Sequence, residues 1–164
     1  MNNLNLSFAI NLIVSTATLI IVYFLQYILG MHPCEMCINE RYPYFILIIL
    51  SLVFFVYTKI SNNSLIGFIG IIKYLSVLVI LGALIYSFMH VGIERGFVDN
   101  FTACSGSLSD INSAENLLLA LEKTPLIRCD EPVLLFNFIS IAESNFSVLT
   151  LLFLINIYLL FYKK

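Results

Sequence analysis

Long apolar runs separated by short polar breaks set the plan of this chain. Leu6 to Leu29 carries no charge and exceeds the roughly 20 residues that cross a bilayer as a helix. A cleaved signal peptide would need a basic leading segment and a shorter core. Met1-Asn2-Asn3-Leu4-Asn5 has neither Lys nor Arg, so the run reads as a retained anchor. Tyr42 to Thr58 is the second run. Pro43 at its start removes one helical hydrogen bond and disfavours helix at Tyr42, which predicts either a kink or a separate turn stacked above the helix. A polar turn, Lys59 to Ser64, leads to a third run, Leu65 to Met89, that contains Lys73. A lysine at mid-bilayer is costly, so the span is placed at 74–90, with 65–72 at the interface and Lys73 snorkelling to the surface that holds Lys59. Gly92 to Asn145 is mixed. In it Ser113 to Lys123 reads as a short amphipathic helix behind a cap-like Ser113, and Pro132 to Ile141, too short to span, lies along the membrane surface. Phe146 to Phe161 is the fourth run. The pattern predicts one all-α membrane domain over residues 1–164. It is a four-helix bundle with spans at about 6–29, 42–58, 74–90 and 146–161, outer loops at about 30–41 and 91–145, and a short surface helix in the second loop.

Composition agrees with that plan. Hydrophobic residues make up 60% of the 164 and charged residues 11%, against about 25% charged in a soluble domain. A net charge of −2 leaves no basic face for nucleic acid. Charge also sets orientation. Lys59, Lys73, Lys163 and Lys164 fall on one side, while all ten Asp and Glu fall on the other with Arg41, Arg95, Lys123 and Arg128. Lysine and arginine near short loops mark the cytoplasm, so both termini are expected there and all four cysteines on the outer side. In a bacterium that side is the oxidising periplasm, where disulfides persist.

The chemistry gathers in His32-Pro33-Cys34-Glu35-Met36-Cys37-Ile38-Asn39-Glu40-Arg41. Positions three and four apart share a helical face, which puts Cys34, Cys37 and Arg41 on one stripe. Pro33 suits the first turn of a helix, whose free N–H groups and dipole favour a thiolate. Cysteines three apart on such a turn can also meet disulfide geometry. Cys104 and Cys129 form a second pair by position. Two structural bridges in a non-enzymatic assembly protein are the plainer reading. A bridge closing two intervening residues, however, stabilises little by loop entropy. Zinc is another rival, since His32, Cys34, Cys37 and His90 are ligand types. No second Cys-x-x-Cys or His pair at metal spacing accompanies them, and no resident metal is expected. Arg41, one turn beyond a reactive sulfur, can bind a carbonyl oxygen or an anion.

The run Pro33-Cys34-Glu35-Met36-Cys37-Ile38-Asn39-Glu40-Arg41-Tyr42-Pro43 resembles the Pro-Cys-x-x-Cys and Glu-Arg signature of the bacterial disulfide-bond formation protein B (DsbB) family, the quinone-linked membrane thiol oxidases. Tyr86 to Glu94 is similar to that family's histidine-containing end of the third span. Cys104 and Cys129, ahead of Phe138-Ile139-Ser140-Ile141-Ala142, match its second outer loop and surface helix. The resemblance implies disulfides Cys34–Cys37 and Cys104–Cys129. It also implies a relay in an inner membrane. A periplasmic thiol oxidase of the DsbA type attacks at Cys104, Cys129 then attacks Cys34, and Cys37 is released beside a ubiquinone or menaquinone. Arg41 holds a quinone carbonyl and His90 assists quinone binding.

Overall fold

A computed structural model describes residues 3–60, 66–98, 129, 134–135 and 139–161. Ser113 to Lys123, expected to be helical, and Cys104 lie outside the described residues. Four long helices carry the chain: α1 (Asn3–Tyr27), α3 (Tyr42–Ile60), α4 (Ile66–Glu94) and α5 (Ile141–Phe161), with a five-residue helix α2 (Glu35–Asn39) between the first two. All four long helices are long and apolar enough to span a membrane.

The helices turn their polar residues inward. Ser7, Asn11, Ser15, Ser51, Ser76, Ser87, His90 and Asn156 are buried, while Ile13, Ile20, Ile49, Leu78 and Leu151 are exposed. That is the reverse of a soluble bundle, and it follows from lipid being as apolar as leucine: helices associate through packing and interhelical hydrogen bonds. α1 packs on α3, α3 on α4, α4 on α5 and α5 on α1, closing a ring. Its core is layered. Phe8 and Phe54 stack with centroids 4.0 Å apart over Ile72. Leu47, Ile80 and Leu152 follow, then Leu19, Tyr44, Ala83 and Leu149, one from each long helix. A last cluster of Cys34, Met36, Ile93 and Cys129 closes the end that bears α2. Beside the aromatic layer, Asn156 Nδ2 donates to Asn11 Oδ1 at 2.7 Å and its Oδ1 accepts from Ser7 Oγ at 2.7 Å.

Pro43 neither kinks nor breaks a long helix. α3 begins at Tyr42, so Pro43 sits in the first turn, where its missing N–H costs no intrahelical bond. α2 is the separate turn above it, joined by Arg41 N–H to Ile38 C=O at 3.1 Å. Lys73 lies within a continuous α4 rather than at the start of a shorter span, and its Nζ reaches the Leu159 carbonyl at 3.4 Å near the end of α5. A lysine there complements the carbonyls that a helix C-terminus leaves unpaired.

The stretch read as lying along the surface departs from helix where it is described. Leu134–Leu135 (β1) and Ile139–Ser140 (β2) pair antiparallel, Leu134 with Ser140 and Leu135 with Ile139. Ser140 then starts α5. Its Oγ accepts from Glu143 N–H at 3.0 Å, and Glu143 Oε2 accepts from Ser140 N–H at 3.1 Å. This reciprocal capping box, Ser-x-x-Glu, fixes the helix start ahead of the apolar run that placed the span at Phe146. At the far end of α4, Gly96 takes a positive φ of 70°, and Phe97 N–H returns to Gly92 C=O at 2.8 Å. Such a glycine-centred C-terminal cap needs a residue free of Cβ strain. Arg95 pairs with Glu143, and Ser140 Oγ donates to Glu94 Oε2 at 2.6 Å. The two ends of the second outer segment are thereby fastened together.

Candidate functional site

Cys34 is the N-cap of α2, so the helix opens at Glu35, two positions later than one opening on Pro33. Its backbone is extended, with φ −70° and ψ 170°, and its Sγ accepts the Cys37 N–H at 3.3 Å. Proline in the preceding position suits that extended approach. One turn of helix brings the Cys37 sulfur to 3.0 Å from Cys34 Sγ. Both are free thiols, Cys34 buried and Cys37 half-buried, and their sulfurs stand one bond formation apart. The Cys37 hydrogen bond holds the Cys34 thiol well below its ordinary 9.0, at about 4, against the opposing effect of burial and with further help from His90 and the Cys37 amide. In the reduced pair the negative charge therefore sits on Cys34.

Behind Cys34 lies a buried polar chain. His90 Nε2 is 3.5 Å from Cys34 Sγ and His90 Nδ1 is 3.1 Å from Glu40 Oε1. Glu40 Oε2 accepts from Asn145 Nδ2 at 3.0 Å, Asn145 Nδ2 also reaches Ser87 Oγ at 3.3 Å, and Tyr44 donates its hydroxyl to Asn145 Oδ1. His90 is fully buried and Glu40 nearly so. Every polar end in this chain has a partner, as a buried network requires. With Glu40 accepting at Nδ1–H, a proton on Nε2 is donated to the Cys34 thiolate, which is how His90 helps to hold the charge there.

In front of the sulfurs is a cavity of about 230 Å³. Its walls include Cys34, Cys37 and Arg41 with the apolar Ile21, Val22 and Val148. His90 is not in its wall, but its partner Glu40, with Tyr44 and Asn145 of the same polar chain, is. Arg41 is held from α1: Nη1 donates to Gln26 Oε1 at 2.7 Å and the guanidinium lies 4.9 Å over the Tyr23 ring. Its Nε is buried without a hydrogen-bond partner. An unpaired buried N–H costs free energy, so this donor is suited to a ligand oxygen. The cavity thus joins apolar walls to a few polar groups, Arg41, Glu40, Glu94 and Asn145, beside the two sulfurs.

Cys129 is buried, disulfide-bonded and packed in the cluster that contains Cys34. Cys104 lies outside the described residues. The structure thus brings Cys34, Cys37, Arg41, His90 and Cys129 to one end of the bundle. His32 is exposed and borders the cavity. Among the described residues, the group able to gather round a metal ion is Cys34, Cys37 and His90, with ligand atoms within 4.8 Å of one another. Sequence reasoning missed Gln26, Tyr23, Tyr44 and Asn145, and named Glu40 only as part of the Glu-Arg signature. The available signal was polarity out of place: Gln26 sits inside an uncharged run, and Glu40 lies one turn after Cys37 on the same face.

Three comparisons bear on the chain. The family model described as disulfide bond formation protein DsbB matches residues 5–159. An uncharacterized protein of Rickettsia prowazekii (strain Madrid E) is 28% identical over 160 residues, covering 94% of this chain and 88% of that protein. No solved structure matches.

Proposed function

The chain belongs to the disulfide bond formation protein DsbB family, and on that premise we propose that it reoxidises a periplasmic DsbA-type dithiol oxidase and passes the electrons to a membrane quinone, ubiquinone or menaquinone. The observation that carries this reading is the cavity shared by Cys34, Cys37 and Arg41.

The relay runs on thiolate exchange. A partner thiolate attacks the Cys104–Cys129 disulfide at Cys104, and the partner's second thiol completes its own disulfide, which leaves Cys104 and Cys129 reduced. Cys129 attacks Cys34 of the Cys34–Cys37 disulfide, and Cys37 leaves as a thiolate. Cys104 then closes on Cys129, so the pair of electrons rests on Cys34 and Cys37. Packing of Cys129 in the Cys34 cluster supports the transfer. His90 Nε2 faces Cys34 Sγ and can take up its thiol proton, while Glu40 holds the ring in the tautomer that does so. On this reading His90 acts on the sulfur rather than on the quinone. Arg41, fixed by Gln26 and Tyr23, orients a carbonyl oxygen and offsets the charge beside Cys37. A quinone, when bound, supplies a sink for two electrons and two protons.

Need for such a sink follows from potentials. A DsbA-type protein lies near about −120 mV, too oxidising to be regenerated by a glutathione-like pool. The test is direct. Purified protein, a reduced DsbA-type partner and ubiquinone are mixed, and quinone reduction is followed by absorbance. Turnover is expected in the wild type and none with Cys37→Ser. An absence of turnover with either quinone sinks the reading.

A further inference from the structure

We propose that the reduced Cys34–Cys37 pair and His90 form a zinc(II) site that halts the enzyme in its reduced state. The regulatory sense rests on the redox reading above; the site itself rests on geometry. Zinc takes thiolate at about 2.3 Å and imidazole at about 2.0–2.1 Å in tetrahedral array, which sets S and N about 3.5 Å apart. Cys34 Sγ and His90 Nε2 are 3.5 Å apart. The same array sets two sulfurs about 3.8 Å apart. The observed 3.0 Å opens to that value with a movement of under about an ångström by the half-buried Cys37 side chain. Glu94 Oε1 is 4.0 Å from His90 Nε2 but outside the group of three whose ligand atoms lie within 4.8 Å of one another, so water takes the fourth vertex.

The outer shell is also that of a metal site. Glu40 accepts from His90 Nδ1 at 3.1 Å, the carboxylate–histidine pairing that orients a ligating imidazole. Asn145 in turn holds Glu40. Binding forms two Zn–S bonds and one Zn–N bond, with the remaining thiol protons passing to water and no change of oxidation state. Once Cys34 and Cys37 are joined, neither sulfur is a thiolate and the site is gone. Zinc therefore competes with electron transfer for the same sulfur electrons.

Cobalt(II), as a spectroscopic probe, and zinc(II) are titrated into the full chain in detergent, once reduced and once oxidised. One cobalt per reduced chain is expected, with sulfur-to-metal charge-transfer and tetrahedral bands that one zinc displaces, and none per oxidised chain. His90→Ala is expected to weaken cobalt binding at least about tenfold and Glu40→Gln about 10- to 100-fold, while His32→Ala leaves it unchanged. Zinc should stop quinone reduction and a chelator should restore it. No sulfur band in the reduced wild type, or equal binding by the oxidised protein, overturns the proposal. So does wild-type affinity in both His90→Ala and Glu40→Gln; if those variants fail to fold, the wild-type arms still decide. A cobalt signature without quinone turnover leaves the site standing and removes the redox reading, and turnover without the signature does the reverse.

Discussion

Arg41, just ahead of α3, is anchored by Gln26 of α1, Nη1 to Oε1 at 2.7 Å. The contact ties the residue beside the dithiol to a different helix. Gln26→Leu is expected to raise the KM for quinone several-fold and change kcat less, since the guanidinium remains but is less well aimed. Arg41→Lys should lose more, about tenfold or greater in kcat/KM, because lysine lacks the planar fork and the stacking on Tyr23. Steady-state quinone reduction separates the two. Equal KM values in wild type and Gln26→Leu would remove the anchoring role.

The charge on Cys34 gives a pH signature. With its thiol held at about 4 by Cys37, His90 and the Cys37 amide, its alkylation rate in reduced protein should be flat across about pH 6–8. An ordinary thiol gains about tenfold in thiolate per unit there. Cys37→Ala removes the largest cause and should move the profile alkaline. Stability follows the same sign. The folded value lies below the unfolded one, so the contribution is complete above 9.0 and is lost as pH falls through about 4. Mass-spectrometric alkylation rates and unfolding midpoints of reduced protein check both.

Asn156 clasps Asn11 and Ser7 inside the bundle. Asn156→Ala leaves two buried polar side chains unpaired and should cost about 1–2 kcal/mol. Replacing Asn11 and Asn156 together by leucine should cost less than the sum of the single changes. Unfolding in mixed detergent micelles measures the difference.

Ser140 both caps α5 and donates to Glu94. Ser140→Ala should lower stability by about 1 kcal/mol from the cap alone. Ser140→Asp keeps a capping oxygen but places an acid beside Glu94, so it should restore less than Ser140→Thr. Thermal unfolding ranks the three.

Much of this was legible in the chain because lipid imposes a simple rule: an uncharged run of sufficient length becomes a helix. Leu6 to Leu29 and Tyr42 to Thr58 carry that rule in their letters. Cys34, Cys37 and Arg41 were legible because they are close in sequence on one turn. What was not legible depends on partners distant in the chain. Asn145 reads as an ordinary polar residue until Tyr44, Ser87 and Glu40 converge on it. Lys73 looked like the edge of a span because the Leu159 carbonyl that receives it comes 86 residues later. Ile139–Ser140 falls in the stretch that the family resemblance makes a surface helix, whereas the backbone pairs with Leu134–Leu135 before the Ser140 cap. Pro33 drew the helix start two residues early because the capping group is a sulfur, Cys34 Sγ, and not one of the usual oxygens.

The Arg95–Glu143 and Glu94–Ser140 fastenings anchor the segment that bears Cys129 at both feet, on neighbouring helices. A thiol delivered on such a two-point tether meets its target at an effective molarity set by the span of the loop rather than by encounter in solution. Severing one foot should therefore slow the internal sulfur exchange while leaving the attack by a soluble partner at its former rate.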